Sequence, residues 1–473
     1  MKWETVIGLE VHAELSTESK IFCGCATSYG GGPNTHVCPV CAGMPGALPK
    51  LNRAVVEYAL RLGLALDCTI SKQCKFDRKN YFYPDLPKAY QVSQLYSPIC
   101  RDGFLEIKAD GQKKKIGIRE IHMEEDAGKL KHSAQGSLMD FNRCGVPLLE
   151  IVSQPDFTGA SEVIAYLEKL REILMYLDVC DCKMQEGSIR ADINLSVRRP
   201  GDELGTRTET KNLNSFKAIA RAIEYETERQ IELLEDGGKI IQETRRWDDE
   251  AGTSSGMRSK ENAQDYRYFP EPDLLPLDIV DEWLARVRES LPELAEQKRR
   301  RYTSAYALSE DEAAALTCHK NISCLFETLA EQSGQPVEAA RLITGGIMRL
   351  MNTTNTLPED VSIDVCKLST LIAFVVDGKI NRTSYKETVE AVFMNNVDPE
   401  KYITEKGLLM LSDDKAVGEA VDAVIAEHSD SAADYRAGKE KVFGFLMGQV
   451  MKKLGKAGNP DLVKNALENA LKS

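Results

Sequence analysis

Between Val6 and Leu15 apolar and polar residues alternate. Ile7, Leu9, Val11, Ala13 and Leu15 fall on one side, and Glu10, His12 and Glu14 on the other. A period of two predicts a strand with one buried face. The pattern returns from Ser188 to Arg198, with Ile189, Ala191, Ile193, Leu195 and Val197 inward and Arg190, Asp192 and Asn194 outward. Thr206 to Lys211 reads as a further strand, and Phe104 to Ile118 as a hairpin turning at Asp110-Gly111. The apolar run Val146 to Val152 reads as a core strand interrupted by Glu150. Helical spacing appears at Asn52–Leu66, where Val55, Ala59, Leu62 and Leu66 form one stripe. It returns in a helix capped by Thr158 or Ser161 that runs to about Tyr176, with Val163, Leu167, Leu170 and Leu174 as its stripe. Another helix begins near Phe216.

From about Trp283 the pattern changes. Asp281 to Met410 is rich in Ala, Leu, Glu and Lys at helical spacing, and Ser309 with Glu312 three residues on predicts a capped helix start. Val442–Leu454 predicts a helix whose Gly444 and Gly448, one turn apart, would allow close backbone approach. The expected fold class is therefore α+β, a β-sheet domain followed by helices. The expected domains are residues 1–292, a helical connector at 293–410 and a small helical tail at 411–473.

Composition adds limits. The 473 residues carry a formal net charge of −13, so the surface as a whole is no glove for nucleic acid, and any RNA contact must come from local basic patches. One such patch is the tail: Arg436 to Ser473 has eight basic residues against three acidic, with Lys452, Lys453 and Lys456 clustered at the end of its first helix. The alternative reading of these lysines is compensation of the helix dipole. No run approaches the roughly 18 apolar residues of a membrane span, and no signal peptide is evident, so a cytoplasmic location is expected. Thirteen cysteines fit free thiols plus one metal cluster better than a disulfide framework. Cys23-Gly-Cys25 and Cys38-Pro-Val-Cys41 have the spacing of a tetrahedral four-thiolate Zn²⁺ site, structural because it is closed, with His36 as a possible competitor.

The candidate chemistry lies on the strands. Glu10 and His12 project side by side, either as metal ligands or simply as the polar face of a sheet. The stretch Ile121–Asp156 adds Glu124, Glu125, Asp126 and Glu150, acids suited to a hard cation such as Mg²⁺ that keeps room for substrate phosphates. A solvated acidic turn is the bland alternative. Lys75 to Asp85 and Pro87 to Gln91 interleave basic and aromatic residues, as phosphate and nucleotide or RNA contacts require. Arginines at 245, 246, 258 and 267 could clamp phosphate oxygens. A P-loop and the kinase signatures are absent, so any ATP would be held on a sheet face by metals, acids and basic loops.

Long motifs carry a resemblance: TVIGLEVHAEL, KFDRKNYFYPDLPKAYQVSQ, IHMEEDAGK, GVPLLEIVSQPD, EGSIRADINLSVR, TETKNLNSF, QETRRWD, DYRYFPEPDLLPL and FGFLMGQVMKK. Over essentially its whole length the chain resembles the B subunits of the glutamyl-/aspartyl-tRNA amidotransferases, and its cysteines resemble the zinc-containing branch of that family. The resemblance implies an N-terminal cradle related to glutamine synthetase that holds the acceptor end of a misacylated tRNA. It implies use of ATP and Mg²⁺ to phosphorylate the side-chain carboxylate of Glu-tRNA(Gln) or Asp-tRNA(Asn). Ammonia released from glutamine by a separate amidase subunit then displaces phosphate, and a small belt subunit holds the other two together in a heterotrimer. His12, Glu125 and Glu150 match the implied Mg²⁺ ligands, with Glu10 and Glu124 beside them. Lys79, Arg190, Asp192 and Lys211 are the candidates for phosphate contact and support, Cys23, Cys25, Cys38 and Cys41 for Zn²⁺, and Lys452, Lys453 and Lys456 for tRNA. Two other classes remain open: a free-standing glutamate–ammonia ligase, and a non-catalytic zinc RNA-binding scaffold.

Overall fold

A computed structural model describes residues 3–133, 136–259, 266–410, 414–436, 439, 441–454, 458 and 460–472. The chain forms two compact units, Met1–Leu294 and Ala295–Ser473. The first is built on a mixed sheet and the second on helices, an α+β layout.

In the first unit the strands among the described residues run in chain order as follows. The early ones are β1 (Glu4–Glu14), β2 (Thr69–Ile70), β3 (Gln73–Cys74), β4 (Asp77–Asn80), β5 (Tyr90–Ser93), β6 (Cys100–Ala109), β7 (Gln112–Glu125), β8 (Lys129–Ser133) and β9 (Gly136–Asp140). The later ones are β10 (Pro147–Ser153), β11 (Ile189–Arg198), β12 (Thr208–Lys211), β13 (Glu243–Asp248), β14 (Thr253–Ser259), β15 (Phe269–Pro270) and β16 (Leu277–Asp278). Nine of them form one sheet in the order β14-β13-β12-β11-β1-β10-β7-β6-β2. Its pairings are antiparallel except β12 with β13. The alternating strand expected at Val6–Leu15 is therefore central, flanked by β10 and β11.

Three helices, α1 (Arg53–Ala65), α2 (Ala160–Tyr176) and α3 (Phe216–Glu235), cover the apolar face. Ile7, Leu9, Val11 and Ala13 of β1 join Leu60, Leu167, Leu170 and Ile219 in one buried core. A side chain of this size contributes about 1.5–3 kcal/mol on burial, which fixes which face of the sheet is inward. Glu10, His12 and Glu14 must then share the opposite face. The Asp110-Gly111 hairpin forms as expected, both residues having positive φ (50° and 78°), as a type I′ turn requires. Asn52 caps α1 by accepting from the Ala54 N–H. Neither Thr158 nor Ser161 caps α2. Its N-cap is Gly159, without a side-chain bond, and the Thr158 N–H donates to Glu162 instead (2.7 Å).

Alternation breaks inside β7. Against β10 the register slips by one residue between Val152 and Ser153, so Ile118 and Glu120 take successive partners and Arg119 is the extra residue. Before this bulge the buried positions are Ile116 and Ile118; after it they are Ile121 and Met123.

The second unit holds two buried clusters, one from Tyr302 to Leu408 and one from Val417 to Leu471. The Ser309 capping box is present. A short π-helix, Ile343–Ile347, contains Gly345 and Gly346. The close approach expected at Gly444 and Gly448 is not found among the described residues: a Cβ at either would meet nothing within 4 Å. No helix among the described residues is long and apolar enough to cross a membrane.

Candidate active site

Strand register assembles the polar face. Across the sheet Glu150 lies opposite His122 on one side and His12 on the other, and His12 lies opposite Arg190. One step along, Glu10 pairs with Asp192, and Asn194 with Glu209.

His12, Glu124 and Glu150 form the tighter group. Their nearest ligand atoms lie within 4.8 Å of one another. His12 Nε2 is 3.5 Å from Glu124 Oε1 and 3.5 Å from Glu150 Oε2. Neighbouring ligands of an octahedral Mg²⁺ are about 2.9 Å apart, so a small closure would seat a hard cation. His122 joins from the side, with Nε2 2.9 Å from Glu150 Oε2. Burial works against a charged His12, but the fields of Glu150, Glu124 and Asp192 outweigh it and raise its pKa to about 9. His122 rises to about 10 in the same way. The two imidazoles hold Glu150 well below the usual carboxylate range despite its burial. Glu150 is therefore ionised at neutral pH.

Glu125 is not among them. The bulge in β7 puts it on the opposite side of the sheet, buried, where its carboxylate pairs with Lys88 and accepts the Val92 N–H (2.8 Å). The group that could hold a metal ion is thus His12, Glu124 and Glu150, whereas the expected set had Glu125 in the place of Glu124. Ser93 of β5 touches Glu124 Oε2 at 3.3 Å.

Glu10, Asp192 and Glu209 form a second oxygen group, also within 4.8 Å. Asn194 donates to Glu10 Oε1 (3.0 Å) and Thr244 to Glu209 Oε2 (2.8 Å). Lys211 bridges the group, 2.5 Å from Asp192 and 3.2 Å from Glu209. Its pKa is raised: burial opposes the charge, and Asp192 and Glu209 overcome that. The three carboxylates bring enough oxygens together that the group could hold a cation.

Lys79 of β4 feels Glu124 and Glu150. Burial would lower its pKa, but Tyr268 and these two acids raise it. The Lys79 ammonium lies 5.2 Å from the centre of the Tyr266 ring, which packs edge-on against Tyr81 and Tyr268. Asn80 ties this aromatic wall down by donating to the Tyr266 and Arg267 carbonyls. Arg190 is occupied differently: its Nη2 is 2.6 Å from Asp126 Oδ2 and 3.7 Å from Glu14 Oε1. Burial first, and Asp126 second, raise the Glu14 pKa to about 8.

Sequence reasoning missed His122, Glu209 and the Tyr266–Tyr268 wall. The IHMEE and TETK motifs contain the first two, but only the bulge and the β11–β12 register reveal their face.

Cys23, Cys25, Cys38 and Cys41 converge, with sulfurs within 4.8 Å of one another and Cys38 Sγ 3.9 Å from Cys41 Sγ. Tetrahedral Zn–S bonds of 2.3 Å put sulfurs roughly 3.8 Å apart. The four thiols fit a metal such as zinc, and His36 is outside the group. In the tail, Lys453 pairs with Glu427 (2.5 Å), Lys452 is exposed, and Lys456 lies outside the described residues.

Residues 5–285 match a family model described as the GatB/GatE catalytic domain, and residues 324–471 match one described as the GatB domain. The chain is 57% identical over 472 residues to the B subunit of the aspartyl/glutamyl-tRNA(Asn/Gln) amidotransferase of Lachnoclostridium phytofermentans, with 99% of each chain covered. It is 53% identical over 477 residues to the like-named protein of Caldicellulosiruptor bescii (100% of this chain, 99% of that one). It is also 53% identical over 473 residues to that of a Thermoanaerobacter species, with both chains fully covered.

Proposed function

This chain belongs to the family of amidotransferase B subunits, and on that premise we propose that it activates the side-chain carboxylate of Glu-tRNA(Gln) or Asp-tRNA(Asn) for amidation. The observation that carries the reading is the convergence of His12, Glu124 and Glu150 on one sheet face, with Glu10, Asp192 and Glu209 beside them.

A carboxylate resists attack by ammonia because its leaving group would be oxide. Transfer of the ATP γ-phosphoryl group to one carboxylate oxygen breaks its bond to the bridging oxygen, ADP leaves, and an acyl phosphate forms. Ammonia attacks the carbonyl carbon, the C–O bond breaks, and phosphate leaves. The first step brings two anions together, so it needs positive charge nearby. His12, Glu124 and Glu150 would hold one Mg²⁺, and Glu10, Asp192 and Glu209 a second; bound there, the cations supply charge neutralisation for the phosphate oxygens. Lys79, backed by the tyrosine wall, would meet the γ-phosphate. Lys211 would contact phosphate while keeping Asp192 and Glu209 in place. Arg190, already paired with Asp126 and Glu14, orients the strand face rather than clamping phosphate. The entering nucleophile is already ionised, so the first step needs no base.

Ammonia would come from a separate amidase subunit acting on glutamine, with a small belt subunit joining the amidase to this chain. The helical tail at 411–473 would touch tRNA through exposed lysines such as Lys452. The four-cysteine group would hold a structural Zn²⁺ and keep the 23–41 segment folded.

The test is an isotope transfer. With both oxygens of the Glu side chain labelled as ¹⁸O, each Gln-tRNA formed by the complete enzyme should release one phosphate carrying one ¹⁸O. Unlabelled phosphate at full product yield would rule out the acyl phosphate route.

A further inference from the structure

Lys20 is fully buried (0% exposed). Its ammonium donates to the His36 carbonyl (2.7 Å) and the Phe141 carbonyl (3.2 Å), and it lies 3.7 Å from Cys41 Sγ. Its backbone N–H bonds to the Cys25 carbonyl (3.0 Å), which seats the residue between the two cysteine pairs. Among the described residues no carboxylate forms an ion pair with it. The nearby acid Glu125 is committed to Lys88. Carbonyl groups orient an ammonium but bring no net charge. An ammonium buried without a counterion is costly, by several kcal/mol, so the countercharge has to come from the sulfurs.

Four thiolates around a divalent cation make a doubly negative unit, and Cys41, beside Lys20, is its buried member, while Cys23, Cys25 and Cys38 are partly exposed. Cys41 Sγ also receives the Cys38 N–H at 3.2 Å. We infer that Lys20 is a positioning residue of the four-cysteine metal centre, supplying its countercharge and an N–H···S hydrogen bond to Cys41. The inference rests on reading the four cysteines as a metal site. It extends that reading, because a spacing of cysteines says nothing about how a doubly negative cluster is tolerated inside a protein. It also explains why a lysine, rather than an apolar residue, fills this buried position. The countercharge and the N–H···S bond both favour the loaded centre over the empty one, while the bonds to the His36 and Phe141 carbonyls hold the segment in either state.

The experiment uses the full-length chain, reduced and loaded with Zn²⁺ or Co²⁺, in wild-type, Lys20→Met, Lys20→Gln and Lys20→Arg forms. Zinc affinity is measured by competition with a chromophoric chelator. Lys20→Met and Lys20→Gln should bind zinc at least about tenfold more weakly, as the loss of one charge-assisted hydrogen bond implies. Lys20→Arg, which keeps the charge, should stay within about threefold of wild type. The cobalt thiolate charge-transfer band should move to lower energy in the two neutral variants, because Cys41 loses a hydrogen bond. Thermal midpoints separate this role from ordinary packing. Lys20→Met should lower the midpoint of the loaded chain by clearly more than that of the metal-free chain, because the lost carbonyl bonds cost both states alike and the lost countercharge costs the loaded one alone. Should Lys20→Met fail to accumulate, Lys20→Gln carries the same comparison. Wild-type zinc affinity and an unshifted cobalt band in the neutral variants would overturn the inference, as would equal loss of stability with and without metal. A wild-type chain that binds neither metal would overturn the metal reading itself.

Discussion

Glu124 and Glu125 are adjacent in the chain and face opposite sides of the sheet. Glu124 stands 3.5 Å from His12, while Glu125 pairs with Lys88. Their roles should separate accordingly. Glu124→Gln removes an anionic oxygen from a group that could hold a cation, and Mn²⁺ binding followed by paramagnetic resonance should weaken by about tenfold or more. Glu125→Gln should leave Mn²⁺ affinity within about threefold, because its carboxylate lies outside the group. Equal losses in the two variants would contradict the placement. His12 and Glu150 were legible from the sequence because β1 alternates cleanly and Glu150 interrupts an apolar run. Glu124 was harder to distinguish from Glu125. Alternation continued from Ile116 and Ile118 selects the wrong neighbour, and only the extra residue at Arg119 reverses it. Nothing in the local composition announces that bulge.

Elements carry the site as much as its ligands do. Strand β12 delivers Glu209 and Lys211, and α3 braces it. Thr208 Oγ1 donates to Glu226 Oε1 (2.7 Å), Gln230 Nε2 donates to the same oxygen (2.8 Å), and Arg229 bonds both carboxylate oxygens. Glu226 is 1% exposed. Burial pushes its pKa up, but the bonds from Arg229, Gln230 and Thr208 prevail and its pKa is lowered. A carboxylate depressed in the folded state contributes stability above its unfolded pKa of about 4.3 and loses that contribution as pH falls toward the folded value. Glu226→Gln should therefore be less stable by roughly 3 kcal/mol at pH 7. The gap from wild type should narrow as the pH falls through the acid range. Urea melts at pH 7 and in that range check this, and a gap that stays constant would exclude an ionised Glu226 as its source. The helices themselves were readable: Asn52 caps α1, and Ser309 with Glu312 forms its box, because capping is local chemistry. Strand order was not, since the neighbours of β1 lie more than a hundred residues along the chain and pairing depends on the whole sheet.

At the scale of the molecule, a sheet-based unit bears the candidate active site and a helical unit follows, an arrangement that the change of periodicity near Trp283 already marks. Summed charge was a coarser guide. The tail's basic residues stand out against a chain of −13, yet Lys453 is paired with Glu427, and a count along the sequence cannot separate paired lysines from those open to RNA. The sheet face is tested most directly by a single turnover of the assembled enzyme with ATP and Glu-tRNA(Gln), without an ammonia donor and with hydroxylamine as the trap. The wild type should form the trapped hydroxamate. Glu150→Gln should form it at least about a hundredfold more slowly, with tRNA binding changed by less than about threefold. Trapping at the wild-type rate in Glu150→Gln, or a parallel loss of tRNA binding that accounts for the defect, would contradict the assignment of His12, Glu124 and Glu150 to carboxylate phosphorylation.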